Sequence, residues 1–99
     1  MVKTIPKGRG FWIWHLDKCE GGNLDKIIEK CHACNIEWLS IKAGDQGRLW
    51  SQLTADVVTK LHGAGIKVYG WSYDTPASIR GQIDVVKNCA KIHCDGFII

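Results

Sequence analysis

Three aspartates stand at corresponding places in the sequence, each just after a short apolar segment. They are Asp17, Asp45 and Asp74. Hydrolysis of a glycosidic bond needs two carboxyl groups, one on each side of the bond. Aspartate is also common in turns and at helix starts, so each of the three alone is compatible with a structural role. Their matching positions favour a shared site, with Asp17 and Asp45 as the candidate catalytic pair and Asp74 as a substrate-binding residue.

Other side chains near the ends of the same segments suit the binding of a polar ring. Trp71 and Tyr73 are two residues apart, so they point to the same side of a strand. Aromatic faces stack on the apolar faces of sugar rings, and their polar tips bind hydroxyl groups. Lys42 is flanked by apolar residues and is expected in a pocket beside a carboxylate, because an unpaired buried ammonium is costly. His15 is also a candidate binding residue, with a hydrogen-bonded packing histidine as an equal alternative.

The C-H-A-C sequence from Cys31 to Cys34 allows three interpretations. Thiolates at this spacing can share a metal ion or form a disulfide. Cys31 is nevertheless in helical phase with Leu24 and Ile27, which favours a small buried side chain in a helix. No second C-x-x-C completes a zinc site. We therefore expect core packing, no metal and no cofactor, with metal binding and redox chemistry as alternatives.

Composition excludes several functional classes. The formal net charge of +3 is spread along the chain, which does not indicate nucleic-acid binding. No apolar run is long enough for a membrane helix, and the first ten residues lack the apolar stretch of a secretory signal. The five cysteines leave at least one thiol unpaired in any intramolecular pairing. This odd number favours a reducing compartment such as the cytoplasm.

Four strands and three helices are predicted to position these residues. The first helix follows Asn23 and continues to Cys34, the second follows Ser51 or Thr54 and ends near His62, and the third starts at Thr75. The third helix is expected to bury an apolar stripe. The predicted strands cover residues 11–16, 38–43, 66–73 and 95–99, and the predicted stripe consists of Ile79, Ile83, Val86 and Ala90.

Regular alternation of strands and helices predicts an α/β fold with a parallel sheet and right-handed crossovers. Residues 1–10 form an N-terminal lead-in, and residues 11–99 form one domain of four parallel strands alternating with three helices. We interpret this domain as half of a (βα)8 TIM barrel, in which chemistry sits at the carboxyl ends of the strands. A small open parallel sheet is the alternative. The glycine-rich turn of a nucleotide-binding sheet is absent after the first strand.

Four segments together resemble the front half of glycoside-hydrolase-like (βα)8 barrels. They are Gly10-Phe-Trp-Ile-Trp14, Ser40-Ile-Lys-Ala-Gly-Asp45, Ala64-Gly-Ile-Lys-Val-Tyr-Gly-Trp71 and Asp95-Gly-Phe-Ile-Ile99. The nearest comparison is with lysozyme-type muramidases and uncharacterised barrel hydrolases. In muramidases of this type the first strand contributes an Asp and the second is followed by an acidic residue, which Asp17 and Asp45 match loosely. Their fourth strand ends in Asp-x-Glu, which has no counterpart before Ile99.

The resemblance implies a half-barrel fragment related to carbohydrate-active enzymes, with carbohydrate as its candidate ligand and no activity of its own. The alternative is a self-associating structural or binding module. Helices that wrap in one sense cover only one face of the sheet, and unpaired edge strands are templates for association. We therefore expect a homodimer or higher oligomer, or association with the missing second half of a barrel.

Overall fold

Parallel strands alternate with helices in the computed structural model, which describes residues 8–73 and 79–98. A short antiparallel strand follows the second parallel strand. In chain order the elements are β1 (Gly10–Ile13), α1 (Leu24–Ala33), β2 (Trp38–Asp45), β3 (Arg48–Leu49), α2 (Ala55–Gly63), β4 (Lys67–Tyr73), α3 (Ile79–Lys91) and β5 (Gly96–Ile98).

The predicted order of elements is confirmed, with local differences. The side chains of Asn23 and Thr54 accept hydrogen bonds from backbone N–H groups in the first turns of α1 and α2, as N-caps do. The first strand is shorter than predicted, because Leu16 lies in a 3-10 turn rather than in β1. The second strand is longer and continues to Asp45. The predicted helix start at Thr75 lies outside the described residues. None of the described helices is long and apolar enough to cross a membrane.

The strands form one open sheet with the order β1-β2-β4-β5, and β3 pairs with β2 outside this path. The pairs β1–β2, β2–β4 and β4–β5 are all parallel. The α/β class and the parallel sheet are thus as predicted. The described strands do not close on themselves, so the structure shows the open sheet, and descent from a TIM barrel stays a prediction.

An apolar core lies between the sheet and the three helices. It combines Leu39, Ile41 and Val68 of the sheet with buried residues of α1, α2 and α3. The buried helix residues are Ile27, Cys31, Val58, Leu61, Val85 and Cys89. All three helices therefore cover the same face of the sheet. We call the opposite face, which carries Trp12, Ser40, Lys42, Tyr69 and Trp71 in register, the inner face.

The predicted buried face of α3 is wrong. Ile79, Ile83 and Ala90 are exposed and Val86 is half-buried, whereas Val85 and Cys89 are buried. The reason is close contact with glycines. A methyl group added at Gly44 would meet Val85, one at Gly70 would meet Cys89, and one at Gly81 would meet the backbone of Gly47. Because both the helix and the strands have glycine at these contacts, α3 can approach the sheet closely, and it does so through its less apolar face.

Candidate functional site

All five tryptophans of the chain gather on or beside the inner face. Four of them form a chain of edge-to-face contacts, with ring centroids 6.5 Å apart for Trp38–Trp12, 5.8 Å for Trp12–Trp71 and 5.5 Å for Trp71–Trp14. The fifth, Trp50, lies against the amine of Lys42. We call these five residues the tryptophan band. Edge-to-face pairs stabilise one another beyond the area they bury, so the band holds its rings in fixed orientations.

Lys42 lies beneath the band with 0% of its surface exposed. Its Nζ atom is 2.6 Å from Oδ2 of Asp45 and donates a hydrogen bond to it. The same Nζ is 4.0 Å from the ring centroid of Trp14, 4.2 Å from that of Trp50 and 5.3 Å from that of Trp71. A carboxylate and three aromatic faces thus replace the water that a buried ammonium loses. The predicted carboxylate beside Lys42 is confirmed, and it is Asp45.

A β-bulge brings Lys42 and Asp45 to the same face, although residues three apart on a regular strand point to opposite faces. On β4, Trp71 pairs with Lys42, and the next residue, Ser72, pairs with Gly44, so β2 carries one extra residue at Ala43. Beyond the bulge, Asp45 pairs with Tyr73. The carboxylate therefore lies on the inner face with the lysine.

A tight hairpin after β2 carries two site residues that sequence reasoning missed, Trp50 and Gln52. Gln46 and Gly47 both have positive φ, 51° and 76°, and they turn the chain back into β3. The amide of Gln52 donates to the carbonyl oxygens of Trp14 (2.8 Å) and Lys42 (2.9 Å) and accepts from the N–H of Leu16 (2.9 Å). In the sequence, the Gln-Gly pair after the second strand could have indicated this hairpin, because two-residue hairpin turns commonly have positive φ at both positions.

The remaining predicted site residues lie at the edge of this cluster or away from it. His15 is exposed and stacks on Trp50, with ring centroids 5.5 Å apart. Tyr73 is exposed at the end of β4, and alternation places it on the same side as Trp71. Asp17 is exposed in the first 3-10 turn, and the hydrogen bonds and ion pairs of the described residues do not link it to Asp45. Asp74 lies outside the described residues.

Cys31 packs in the core, as predicted. An apolar groove of about 370 Å³ lies on the helix side of the β1 edge, where Phe11 and Ile13 face Ile27 and Cys31 of α1. Cys19 and Cys34 also line this groove. Burial and the neighbouring Cys34 raise the pKa of the Cys31 thiol, which keeps it protonated and weakly nucleophilic. Across residues 8–73 and 79–98, no group of three or more His, Cys, Asp or Glu side chains is arranged to hold a metal ion.

The inner face therefore combines rigid aromatic surface with a few polar groups. Trp12 and Trp14 remain 51% and 54% exposed, whereas Lys42 is fully covered and ion-paired. This arrangement is suited to stacking and hydrogen bonding of a ligand rather than to attack by the amine. Comparison of the chain with models of known protein families, with curated proteins and with solved structures gave no match.

Proposed function

We propose that the chain is a carbohydrate-binding (βα) module, related to glycoside hydrolases but without hydrolytic activity of its own. The observation that carries this proposal is the pair of half-exposed indoles, Trp12 and Trp14, at the β1 side of the inner face. Each of these two rings packs edge-to-face against the ring of Trp71. A rigid aromatic surface binds at low entropic cost, because little side-chain freedom remains to be lost.

Polar groups beside these indoles supply partners for hydroxyl groups. His15 is exposed, and Asp45 retains part of its surface in solvent, with 32% of its side chain accessible. The ligand would stack on Trp12 and Trp14, and its hydroxyl groups would reach the imidazole of His15 and the free side of the Asp45 carboxylate. Tyr73 adds a further exposed ring beyond Asp45.

Calorimetric titration with soluble oligosaccharides, among them fragments of peptidoglycan, tests this proposal. We expect Trp14→Ala to weaken binding at least about tenfold, which corresponds to the loss of about 1.4 kcal/mol of stacking. Phe11→Ala is the matched control, because Phe11 has similar exposure, 55%, but lies on the helix side of β1. Equal affinity of wild type and Trp14→Ala, or equal losses in the two variants, would reject the proposed surface.

Hydrolysis by the chain alone is not expected, because the two candidate catalytic carboxylates are poorly placed for it. Asp45 is held in an ion pair by Lys42, and Asp17 stands in an exposed turn. We expect no release of reducing sugar from peptidoglycan or common polysaccharides. Turnover that Asp45→Asn abolishes would contradict this and return Asp45 to a catalytic role.

Self-association is the second candidate function, and a specific observation favours it. The stripe Ile79, Ile83, Val86 and Ala90 of α3 is exposed or half-exposed. It lies about a third of a turn from the buried Val85. With right-handed crossovers, this direction faces away from α2 and towards the β5 edge. The apolar groove beside Phe11 flanks the opposite edge, at β1.

Two copies placed edge to edge would extend the parallel sheet from four strands to eight, the number in a closed TIM barrel. The partner in such an assembly is a second copy of the same chain.

A further inference from the structure

The three helices end in the same type of turn. In each turn the residue before the last has positive φ, namely Asn35 (56°), Gly65 (79°) and His93 (68°). The last N–H donates to the carbonyl oxygen five residues earlier, from Ile36 to Cys31 (2.7 Å), Ile66 to Leu61 (3.0 Å) and Cys94 to Cys89 (3.0 Å). This is the Schellman motif, which brings the first and last side chains of the turn into contact.

The third turn differs from the other two in its contact pair. The pairs at the ends of α1 and α2 are Cys31 with Ile36 and Leu61 with Ile66, and each includes an isoleucine. At the end of α3 both positions are cysteine, so the motif holds two thiols together. Cys89 is buried and Cys94 is half-buried, and both are free thiols.

The turn places the two thiols at the first and last positions of one Schellman motif, where side chains meet. The hydrogen bond to Cys89, together with burial, raises the pKa of the Cys94 thiol, and the same hydrogen bond lowers the pKa of Cys89. The corresponding positions of the other two turns do not hold two thiols, since Cys31 is paired with Ile36 and Leu61 with Ile66.

We propose that Cys89 and Cys94 form a dithiol site whose substrates are low-molecular-weight disulfides, with which they exchange to form an intramolecular disulfide. Cys94, the more accessible of the two, passes its proton to the Cys89 thiolate as its sulfur attacks one sulfur of the small disulfide, and one small thiol is released. Cys89 then attacks the mixed disulfide and releases the second. The Cys89–Cys94 bond replaces the disulfide bond of the substrate, and the two thiol protons leave on the two released thiols.

The fold favours this product because the turn already holds the two residues close together. The backbone hydrogen bond from the N–H of Cys94 to the carbonyl oxygen of Cys89 is present with both thiols free. A cross-link that the folded state accommodates without rearrangement forms more readily in the folded than in the unfolded chain. The exchange should also accelerate with pH, because the pair must lose a proton before a thiolate can act as the nucleophile.

Equilibration with oxidised and reduced glutathione tests the site. Folded protein and protein unfolded in urea are held at the same glutathione ratio, and the remaining thiols are then alkylated. Trypsin cleaves after Lys91, between the two cysteines, so the proposed disulfide joins peptides 88–91 and 92–99. Cys31 and Cys34 remain together in one tryptic peptide, so a Cys31–Cys34 disulfide would join no peptides and is distinguished from a Cys89–Cys94 disulfide.

We expect the ratio of joined to unjoined peptides to be at least tenfold higher in the folded protein. Cys94→Ile is the matched control, because isoleucine occupies the same position in the other two turns and should preserve the fold. In that variant the joined peptides must disappear, and the buried Cys89 should not accumulate glutathione. Equal joining in folded and unfolded protein, or a disulfide confined to Cys31 and Cys34, would overturn the proposal.

Discussion

At the scale of single residues, Lys42 shows how a buried charge shapes the inner face. Apolar flanks and the cost of an unpaired ammonium were enough to predict a carboxylate beside it. The sequence did not show that Trp14, Trp50 and Trp71 would complete its surroundings, because these rings come from three distant segments. Nor did the sequence show that Asp45 would form an ion pair with Lys42 instead of a catalytic pair with Asp17.

The Lys42–Asp45 pair predicts an asymmetric response to mutation. Lys42→Met leaves a carboxylate that water can partly reach, since 32% of the Asp45 side chain is exposed. Asp45→Asn leaves a fully buried ammonium without its counter-charge. We expect the second change to cost more, about 3 kcal/mol against about 1 to 2 kcal/mol for the first. Urea unfolding of both variants measures the difference, and an inverted order would show that the indole rings alone suffice for Lys42.

At the scale of secondary-structure elements, local signals were reliable where they depended on neighbouring residues. The caps Asn23 and Thr54 and the helical spacing in α1 and α2 were read correctly. The buried face of α3 was predicted wrongly, because its sequence carries two candidate buried stripes. The choice between them depends on Gly44 and Gly70, which lie on strands distant in sequence. The β-bulge at Ala43 also escaped prediction, because a bulge is defined by the pairing of two strands and not by one of them.

Gly44 provides the test of the bulge and of the close approach of α3. A Cβ atom at this position would lie 2.7 Å from the carbonyl oxygen of Arg48 and 2.8 Å from a methyl group of Val85. We expect Gly44→Ala to destabilise the fold by about 1 to 3 kcal/mol through overpacking. Gly63→Ala is the control, because a Cβ there meets nothing within 4 Å and alanine suits a helix better than glycine. Thermal unfolding should separate the two variants, and equal melting temperatures would refute the close contact.

At the scale of the whole molecule, alternation of strands and helices was sufficient to predict an α/β fold with a parallel sheet. The inner face differs from the expectation of an uncovered surface. Ser40, Lys42 and Tyr69 are fully or almost fully buried, and indoles of the tryptophan band contact both Lys42 and Tyr69. The proposed association therefore depends mainly on the sheet edges and on the stripe of α3.

Sedimentation equilibrium of reduced protein at micromolar concentration tests that association. We expect a dimer or larger species, and we expect Ile83→Ser to shift it towards the monomer by removing apolar surface from the stripe. Asp84→Ser is the control, since it places the same side chain at the adjacent exposed position outside the stripe. A well-folded wild-type monomer at these concentrations would rule out the self-association proposal.

Because all five tryptophans lie on or beside the inner face, optical spectroscopy can follow the two sides of the sheet separately. Indole emission and near-ultraviolet circular dichroism arise almost entirely from one side of the sheet, whereas the far-ultraviolet signal of the helices arises from the other. Coincident unfolding transitions in the two spectral regions would show that both sides of the sheet lose their structure together. If the indole signal changed at lower urea than the helical signal, the ring cluster would be melting while the helices stayed packed. The chain thus carries an intrinsic optical probe of its inner face, without any added label.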